Sequence, residues 1–363
     1  MEEFDLMKII EVMPFWGLGG AETMCENLVY ELKKLGHEII VISLYDTKTV
    51  ITQRFEKAGI DIRYLEKKPG LDFSMYKKLR KIFREEKPDV VHTHIHTTQY
   101  VFPVAKRLKI KIVHTIHSIA SKEAPSLLRK FNKFYFKRSY AIPVALSENI
   151  QRSMVEEYKI RVDRVPIIFN GIDLSKCKEK SDYSRGEMFK IVHVASYQEV
   201  KNHFGLLDSF EQFHRKKPDT ELHLIGDGQR RALIEQIVKD KGLSDCVFFY
   251  GFQASVHKFL HDMDVFTLPS LYEGMPMSII EAMGTGLPIV ATNVGGIPDM
   301  LTNGESAILT AIDCDEIANA FEKLYASTEL RERLGKNAKR NADIFSSAKM
   351  ANNYVKIYQG VLK

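Results

Sequence analysis

Glu273 and Glu281 bracket seven residues within Pro269-Ser-Leu-Tyr-Glu-Gly-Met-Pro-Met-Ser-Ile-Ile-Glu-Ala-Met-Gly-Thr-Gly-Leu-Pro288. Glu273 falls in the loop after an apolar strand. Glu281 lies about two turns further along, in a helix expected to begin near Met277, so both carboxylates can face one ligand from different heights. The backbone amides from Gly274 to Ser278 open that helix and suit an anion, whereas a carboxylate farther in suits the hydroxyls of a sugar diol. Glu281 is flanked by Ile279, Ile280, Ala282 and Met283. An unpartnered charge is costly there, which favours a ligand-binding role over a solvated helix face.

Other segments invite chemistry more weakly. Met13-Pro-Phe-Trp-Gly-Leu-Gly-Gly-Ala-Glu22 places a glycine-rich turn between a strand and a helix, where the backbone can approach a phosphate closely. Its spacing from Gly17 is G-x-G-G-x-E, with Glu22 where a dinucleotide fingerprint needs a small residue, which argues against NAD or FAD. A tight turn and a ligand loop both remain open for Gly19 and Gly20. His92-Thr-His94-Ile-His96 carries alternating histidines, and Ile112-Val-His-Thr-Ile-His117 ends another strand. With no Cys or H-E-x-x-H partner beside them, no metal site is expected. Asp262-Met-Asp264 and Asp313-Cys-Asp315 imitate a D-x-D metal motif but read as helix-end and capping carboxylates.

The elements that must position these groups alternate short β-branched runs with amphipathic stretches, the pattern of βαβ units around a parallel sheet. Strands are expected at Lys8–Met13, Glu38–Leu44, Asp61–Leu65, Asp89–Thr93, Ile110–Thr115, Ala141–Leu146 and Pro166–Phe169. A second set is expected at Lys190–Ala195, Glu221–Ile225, Val247–Tyr250, Val265–Leu268 and Pro288–Ala291. The period lapses into a polar run between Ile172 and Met188, which reads as a hinge between domains 1–178 and 184–346. Met350, Tyr354, Ile357, Tyr358 and Val361 form one helical stripe in 347–363 that must pack on something. A chain of 363 residues, 45% hydrophobic and 27% charged, suits two globular cores and excludes disorder and fibrous repeats. Four scattered cysteines suit a reducing compartment rather than a disulfide framework. No signal peptide is read in the acidic start, and no apolar run is long enough to span a membrane.

The ordered set of short motifs resembles retaining family 4 glycosyltransferases of the GT-B fold. Gly19-Gly20, Asn170-Gly171-Ile172-Asp173, Gly226-Asp227-Gly228, the Glu273 to Glu281 pair and Gly295-Gly296-Ile297-Pro298-Asp299 occur in the family's order. The resemblance implies an α/β chain of two Rossmann-like, doubly wound domains facing a central cleft. The first would be acceptor-side, the second would bind a nucleotide-sugar donor, and the C-terminal helix would return to the first. It further implies that Glu281 accepts the ribose hydroxyls, and that Glu273, with Gly274, Met275, Pro276 and Met277, contacts the transferred sugar. Lys201 would neutralise the diphosphate, with Gly19 and Gly20 contributing to the donor site. His117 would orient substrate, and His94 would lie on the acceptor side. Glu273, Lys201 and His117 are thus the catalytic candidates. Many members place an arginine where this chain has Ser196, a donor-site residue that can donate one hydrogen bond but no charge, so phosphate stabilisation leans more on Lys201, the helix amides and the Gly19 loop. The expected reaction is metal-independent and cofactor-free, with a UDP-sugar favoured over a GDP-sugar and a glycan or lipid-linked acceptor in cell-surface polysaccharide synthesis.

The charge is uneven. Residues 1–180 carry 32 Lys and Arg against 23 Asp and Glu, a surplus of 9, while 181–363 carry 20 against 24, a deficit of 4. Within the basic half, 122–138 interleaves six cations with Leu127, Leu128, Phe131, Phe134, Tyr135 and Phe136. On a helix this could face an anionic membrane or the core, and the protein is expected in the cytoplasm, peripheral to the inner face of the membrane. Nucleic-acid binding is not expected, since no stacking-module signature accompanies the charge. The competing functions are a sugar-nucleotide epimerase or phosphorylase-like enzyme of the same fold, or a non-catalytic carbohydrate-binding module.

Overall fold

A computed structural model describes residues 5–253 and 255–362. Residues 1–4 of the acidic start and Lys363, the outer limits of the expected domains, lie outside them. Residues up to Gly171 with the segment from Ser347 form one compact unit, and Ile172–Ser346 forms another. The first unit holds strands β1 (Lys8–Met13), β2 (Glu38–Ser43), β3 (Asp61–Tyr64), β4 (Val90–His94), β5 (Lys111–Ile116) and β6 (Ile142–Ala145). The second holds β7 (Phe189–Val194), β8 (Thr220–Ile225), β9 (Val247–Gly251), β10 (Val265–Leu268), β11 (Ile289–Thr292) and β12 (Ile308–Thr310).

Both sheets are parallel and six-stranded, ordered β3-β2-β1-β4-β5-β6 and β12-β11-β10-β7-β8-β9. The second order, read from the other edge, repeats the first. In each sheet the chain starts centrally, winds outward, then crosses back to wind the other way. The switch points lie between β1 and β4, and between β7 and β10. Beside these lines the loops leaving neighbouring strands diverge and leave room for a ligand. Strands buried on both faces explain the unbroken apolar runs: every residue of β10 and β11 is buried. Phe189, Phe210, Phe213, Leu224 and Phe321 fill one side of the second sheet.

Several elements differ from the sequence reading. Pro166–Phe169 is an isolated bridge from Ile167 to Ala145, not a strand. Instead the three-residue edge strand β12 completes the second sheet. The expected helix over 122–138 breaks at Ala124–Pro125 into Ala120–Glu123 and Ser126–Lys137, because proline cannot continue a helical ladder. Tyr135 and Phe136 are buried and Phe131 stacks on Phe102, while Leu127 and Phe134 remain exposed. The polar run expected as a hinge is fastened to the second unit. Cys177 and Leu174 crowd the face of Gly284, Tyr183 donates to the Gly286 carbonyl at 2.8 Å, and the buried Arg331 guanidinium donates to the Tyr183 carbonyl. The compact unit accordingly begins at Ile172, several residues before the expected boundary.

Candidate active site

In the second unit, the chain leaving β7 makes a 3-10 turn, Glu199–Lys201, and enters the helix His203–Lys216 through Asn202. Asn202 adopts left-handed backbone (φ 53°), caps the helix by accepting from the Gly205 amide, and donates at 3.0 Å to the Pro269 carbonyl after β10. The Leu271 amide donates to the Val200 carbonyl at 2.8 Å, tying the same two loops. The result places Lys201 Nζ 2.6 Å from Glu273 Oε1, and Ser270 Oγ donates to that oxygen at 2.6 Å. Lys201 and Glu273, 72 positions apart, therefore form one cluster at the β7–β10 switch point. Ser270, which sequence reasoning missed, is itself held through its carbonyl by Thr292 Oγ1 at 2.6 Å.

Glu273 is buried and its backbone is also fixed. Gly296 donates to the Glu273 carbonyl at 3.1 Å, and Gly295 passes so close that a Cβ would lie 1.8 Å from the same oxygen. Glycine is required there for both space and its φ of 58°. Beyond Pro276 the helix Met277–Thr285 begins, with Met275 and Met277 buried, and it ends at Gly286 in left-handed conformation. Glu281, on this helix, is half-buried. No hydrogen bond or ion pair from the described residues engages its carboxylate, and burial pushes its pKa up to about 7. Gly274 is half-buried and Ser196 is exposed in the loop after β7. Asp313 caps the helix Cys314–Ala326 through the Glu316 amide, and Asp264 accepts from the Lys190 amide, so both act as structural carboxylates.

In the first unit, Gly19 and Gly20 are exposed at the start of the helix Gly20–Lys34. The Glu22 side chain folds back so closely that a Cβ on Gly19 would meet its Oε2 at 2.5 Å. Burial raises the Glu22 pKa, against hydrogen bonds from its own amide and that of Gly19. The helix thus supplies its own anion at this turn.

Behind that turn lies a buried polar network. Glu11, in the middle of β1, is the register partner of His92 on β4, and parallel pairing puts both on one face with His94. Glu11 Oε1 lies 3.1 Å from His92 Nδ1, and Oε2 lies 2.9 Å from His94 Nε2. His94 Nδ1 in turn lies 3.1 Å from His117 Nε2. His94 is fully buried, whereas His117, just past the end of β5, is half-buried. The C-terminal helix Ser347–Leu362 covers the network. Its Tyr358 hydroxyl is 2.7 Å from His92 Nδ1, and its Tyr354 hydroxyl is 2.8 Å from Thr115 Oγ1, which is also 2.8 Å from His92 Nε2. Burial pushes the Glu11 carboxyl up, but the two rings outweigh it and hold it at about 2. Burial and the neighbouring His92 push His94 down to about 4 despite Glu11, and burial with His94 takes His117 well below its ordinary value. Sequence reasoning missed Glu11; the signal was an acid inside the apolar strand Lys-Ile-Ile-Glu-Val-Met.

Comparison with known proteins places this geometry. The Glycosyltransferase Family 4 model matches residues 18–176, and the Glycosyl transferases group 1 model matches 178–341. The chain is 26% identical to N-acetyl-alpha-D-glucosaminyl L-malate synthase of Bacillus anthracis, over 95% of each chain. It is 27% identical to the UDP-Gal:alpha-D-GlcNAc-diphosphoundecaprenol alpha-1,3-galactosyltransferase of Escherichia coli, over 68% of each. Among solved structures, HepE of Anabaena in complex with UDP and glucose superposes with a TM-score of 0.85 at 20% identity, covering 97% of this chain and 99% of that one. The two matching sheets make the fold that of a GT-B glycosyltransferase. The chain belongs to glycosyltransferase family 4.

Proposed function

We propose that the chain is a retaining, metal-independent hexosyltransferase that moves a sugar from a UDP-sugar to a glycan or lipid-linked acceptor in cell-surface polysaccharide synthesis. The observation that carries this reading is the convergence of Lys201, Glu273 and Ser270 at the switch point, with the unpartnered Glu281 carboxylate on the adjoining helix. A leaving nucleotide gains negative charge as the glycosidic bond breaks, and a fixed cation with helix amides stabilises that charge without reorganising. Glu281 would receive the ribose hydroxyls. Lys201 would exchange part of its contact with Glu273 for the diphosphate, leaving Glu273 to take a sugar hydroxyl. Because Glu273 Oε1 already accepts from Lys201 and Ser270, displacement on the leaving group's own face, with a diphosphate oxygen taking the acceptor proton, suits retention better than a carboxylate nucleophile. UDP as donor nucleotide is supported by the HepE complex, and a lipid-linked acceptor by the E. coli relative's name.

The membrane reading is a proposal of the same kind. Among the described residues, no helix is long and apolar enough to cross a membrane. Leu127 is 79% and Phe134 43% exposed on a helix rich in cations, a surface suited to the headgroups of an anionic cytoplasmic leaflet. Nucleotide release should therefore be measured across UDP-, GDP- and ADP-sugars in EDTA, with and without lipid-linked acceptors, and the product anomer read by NMR. Acceptor-dependent UDP release with an unchanged anomeric configuration is expected. Inversion would refute retention, and loss of activity in EDTA would refute metal independence. Donor isomerisation without transfer would favour an epimerase, and silence across the panel a binding module. Co-sedimentation with anionic but not neutral liposomes checks the membrane surface.

A further inference from the structure

We infer that Glu11 and His94 are positioning residues that fix the tautomer and orientation of the His117 ring, so that His117 meets substrate through a bare Nδ1, a hydrogen-bond acceptor for a hydroxyl. This rests on the proposed substrate-orienting role of His117 and adds the chain of groups behind it. The starting point is a carboxylate in the centre of a sheet, with no exposed surface, whose two oxygens lie 3.1 and 2.9 Å from ring nitrogens of His92 and His94, neighbours that hold it ionised against the effect of burial. An ionised carboxylate accepts and cannot donate. His94 Nε2, 2.9 Å away, must carry a proton, and a neutral ring protonated there has a bare Nδ1. That nitrogen faces His117 Nε2 at 3.1 Å, so the proton in this gap belongs to His117. A neutral His117 protonated at Nε2 then presents an unprotonated Nδ1, and no hydrogen bond from the described residues engages that atom.

The surroundings favour neutral rings. Burial, His94, His92 and His114 all disfavour a charge on His117, and Cys25, Tyr354 and Tyr358, which close the network from two helices, bring no carboxylate to the rings. The backbone next to His117 is also held: the Glu123 carboxyl accepts from the Ser118 amide at 3.1 Å. A carboxylate–imidazole pair that orders the ring presented to a ligand is the same device that orients metal-bound histidines, here used on a second histidine. The ligand class is a hydroxyl-bearing substrate, such as a sugar. A deoxy or fluoro analogue at the contacted position would lose the hydrogen bond.

The test uses protein labelled with 15N-histidine, in which ring tautomers are read directly at pH 7.5, with His117→Gln assigning the signal. Wild type is expected to show neutral His117 protonated at Nε2. In His94→Asn the side-chain oxygen replaces the Nδ1 acceptor, so the His117 tautomer should persist with kcat/KM reduced less than about fivefold. His94→Leu removes the acceptor. It should give mixed His117 tautomers and a drop of about 30-fold or more, chiefly in kcat. Glu11→Gln, which keeps the shape without the charge, should fall between the two. A His117 protonated at Nδ1 or cationic in wild type would overturn the inference, as would His94→Leu with unchanged tautomer and rate. Zinc bound at micromolar concentration by Cys25, His94 and His117, whose donor atoms lie within 4.8 Å of one another, would also overturn it, because both facing nitrogens would have to be bare. The tautomer is read without substrate. A wild-type rate in His117→Gln would therefore refute the substrate-orienting role while leaving the tautomer result to stand or fall by itself.

Discussion

Replacing Gly295 by alanine tests whether Glu273 works by position. The added Cβ would stand 1.8 Å from the Glu273 carbonyl oxygen, whereas real Cβ atoms keep at least 3.0 Å, so one backbone segment must retreat by about 1.2 Å. Holding a non-glycine residue at φ 58° costs a further ~1–2 kcal/mol, and losing the Gly296 to Glu273 hydrogen bond costs ~1 kcal/mol. If Glu273 has the catalytic role proposed for it, a displacement of this size lowers turnover by about 100-fold. Gly304→Ala is the control, since Gly304 has φ 75° but nothing within 4 Å of a Cβ. It should lose ~1–2 kcal/mol of stability and keep full activity. Thermal melts and steady-state kinetics on the two variants separate the effects. If Gly295→Ala matches Gly304→Ala in melting temperature and keeps wild-type kcat, the claim that this backbone contact sets the Glu273 position is wrong.

Other outcomes follow from the same geometry. Lys201→Ala should lower kcat by about 10²–10³-fold, and removing the cation also leaves Glu273 without its ion-pair partner, so a variant of wild-type turnover would exclude Lys201 from the diphosphate. Because burial raises Glu281 to about 7, its protonated form is favoured on folding. Its stability contribution is present below the unfolded value near 4.5 and is lost as pH rises through about 7. Glu281→Gln should therefore raise Tm at pH 8 and leave it nearly unchanged at pH 4. If Glu281 takes the ribose hydroxyls as proposed, UDP binding should weaken in wild type from pH 8 to pH 6 but stay flat in the variant by calorimetry. Arg331, 1% exposed, donates to the carbonyls of Tyr183 and Leu324. Arg331→Met should cost ~3–5 kcal/mol in denaturant unfolding, since it orphans those carbonyls.

The parallel sheets were legible because strands buried on both faces write themselves as short apolar runs, and eleven of the twelve paired strands sit within about a residue of their expected limits. β12 was not legible, since three residues at a sheet edge carry too little pattern to stand out. Pro166–Phe169 has a strand's composition, but its bridge to Ala145 extends no further than a single residue pair. In the site, the Glu273 and Glu281 spacing pointed to a ligand because both lie on one loop and helix. The Lys201 contact needed the resemblance, because a 72-residue separation leaves no local trace. Glu11 was visible as an anomaly in an apolar strand, yet its partners depend on the β1–β4 register, 81 residues away. The helix stripe of Tyr354 and Tyr358 announced that it must pack, without showing that a carboxylate and two histidines lay beneath.

That covering helix has a consequence for how the protein is made. The first unit places an ionised glutamate at its centre, and the tyrosines that seal it are synthesised only after the whole of Ile172–Ser346 has been translated. A nascent first unit therefore holds a wet, half-sealed centre during elongation and reaches its final packing in a late docking step. Dividing the gene at the boundary between the units would not yield two self-sufficient halves. A circular permutant that begins with Ser347–Leu362, joined ahead of β1, would let the first unit close on itself while the second is still being made.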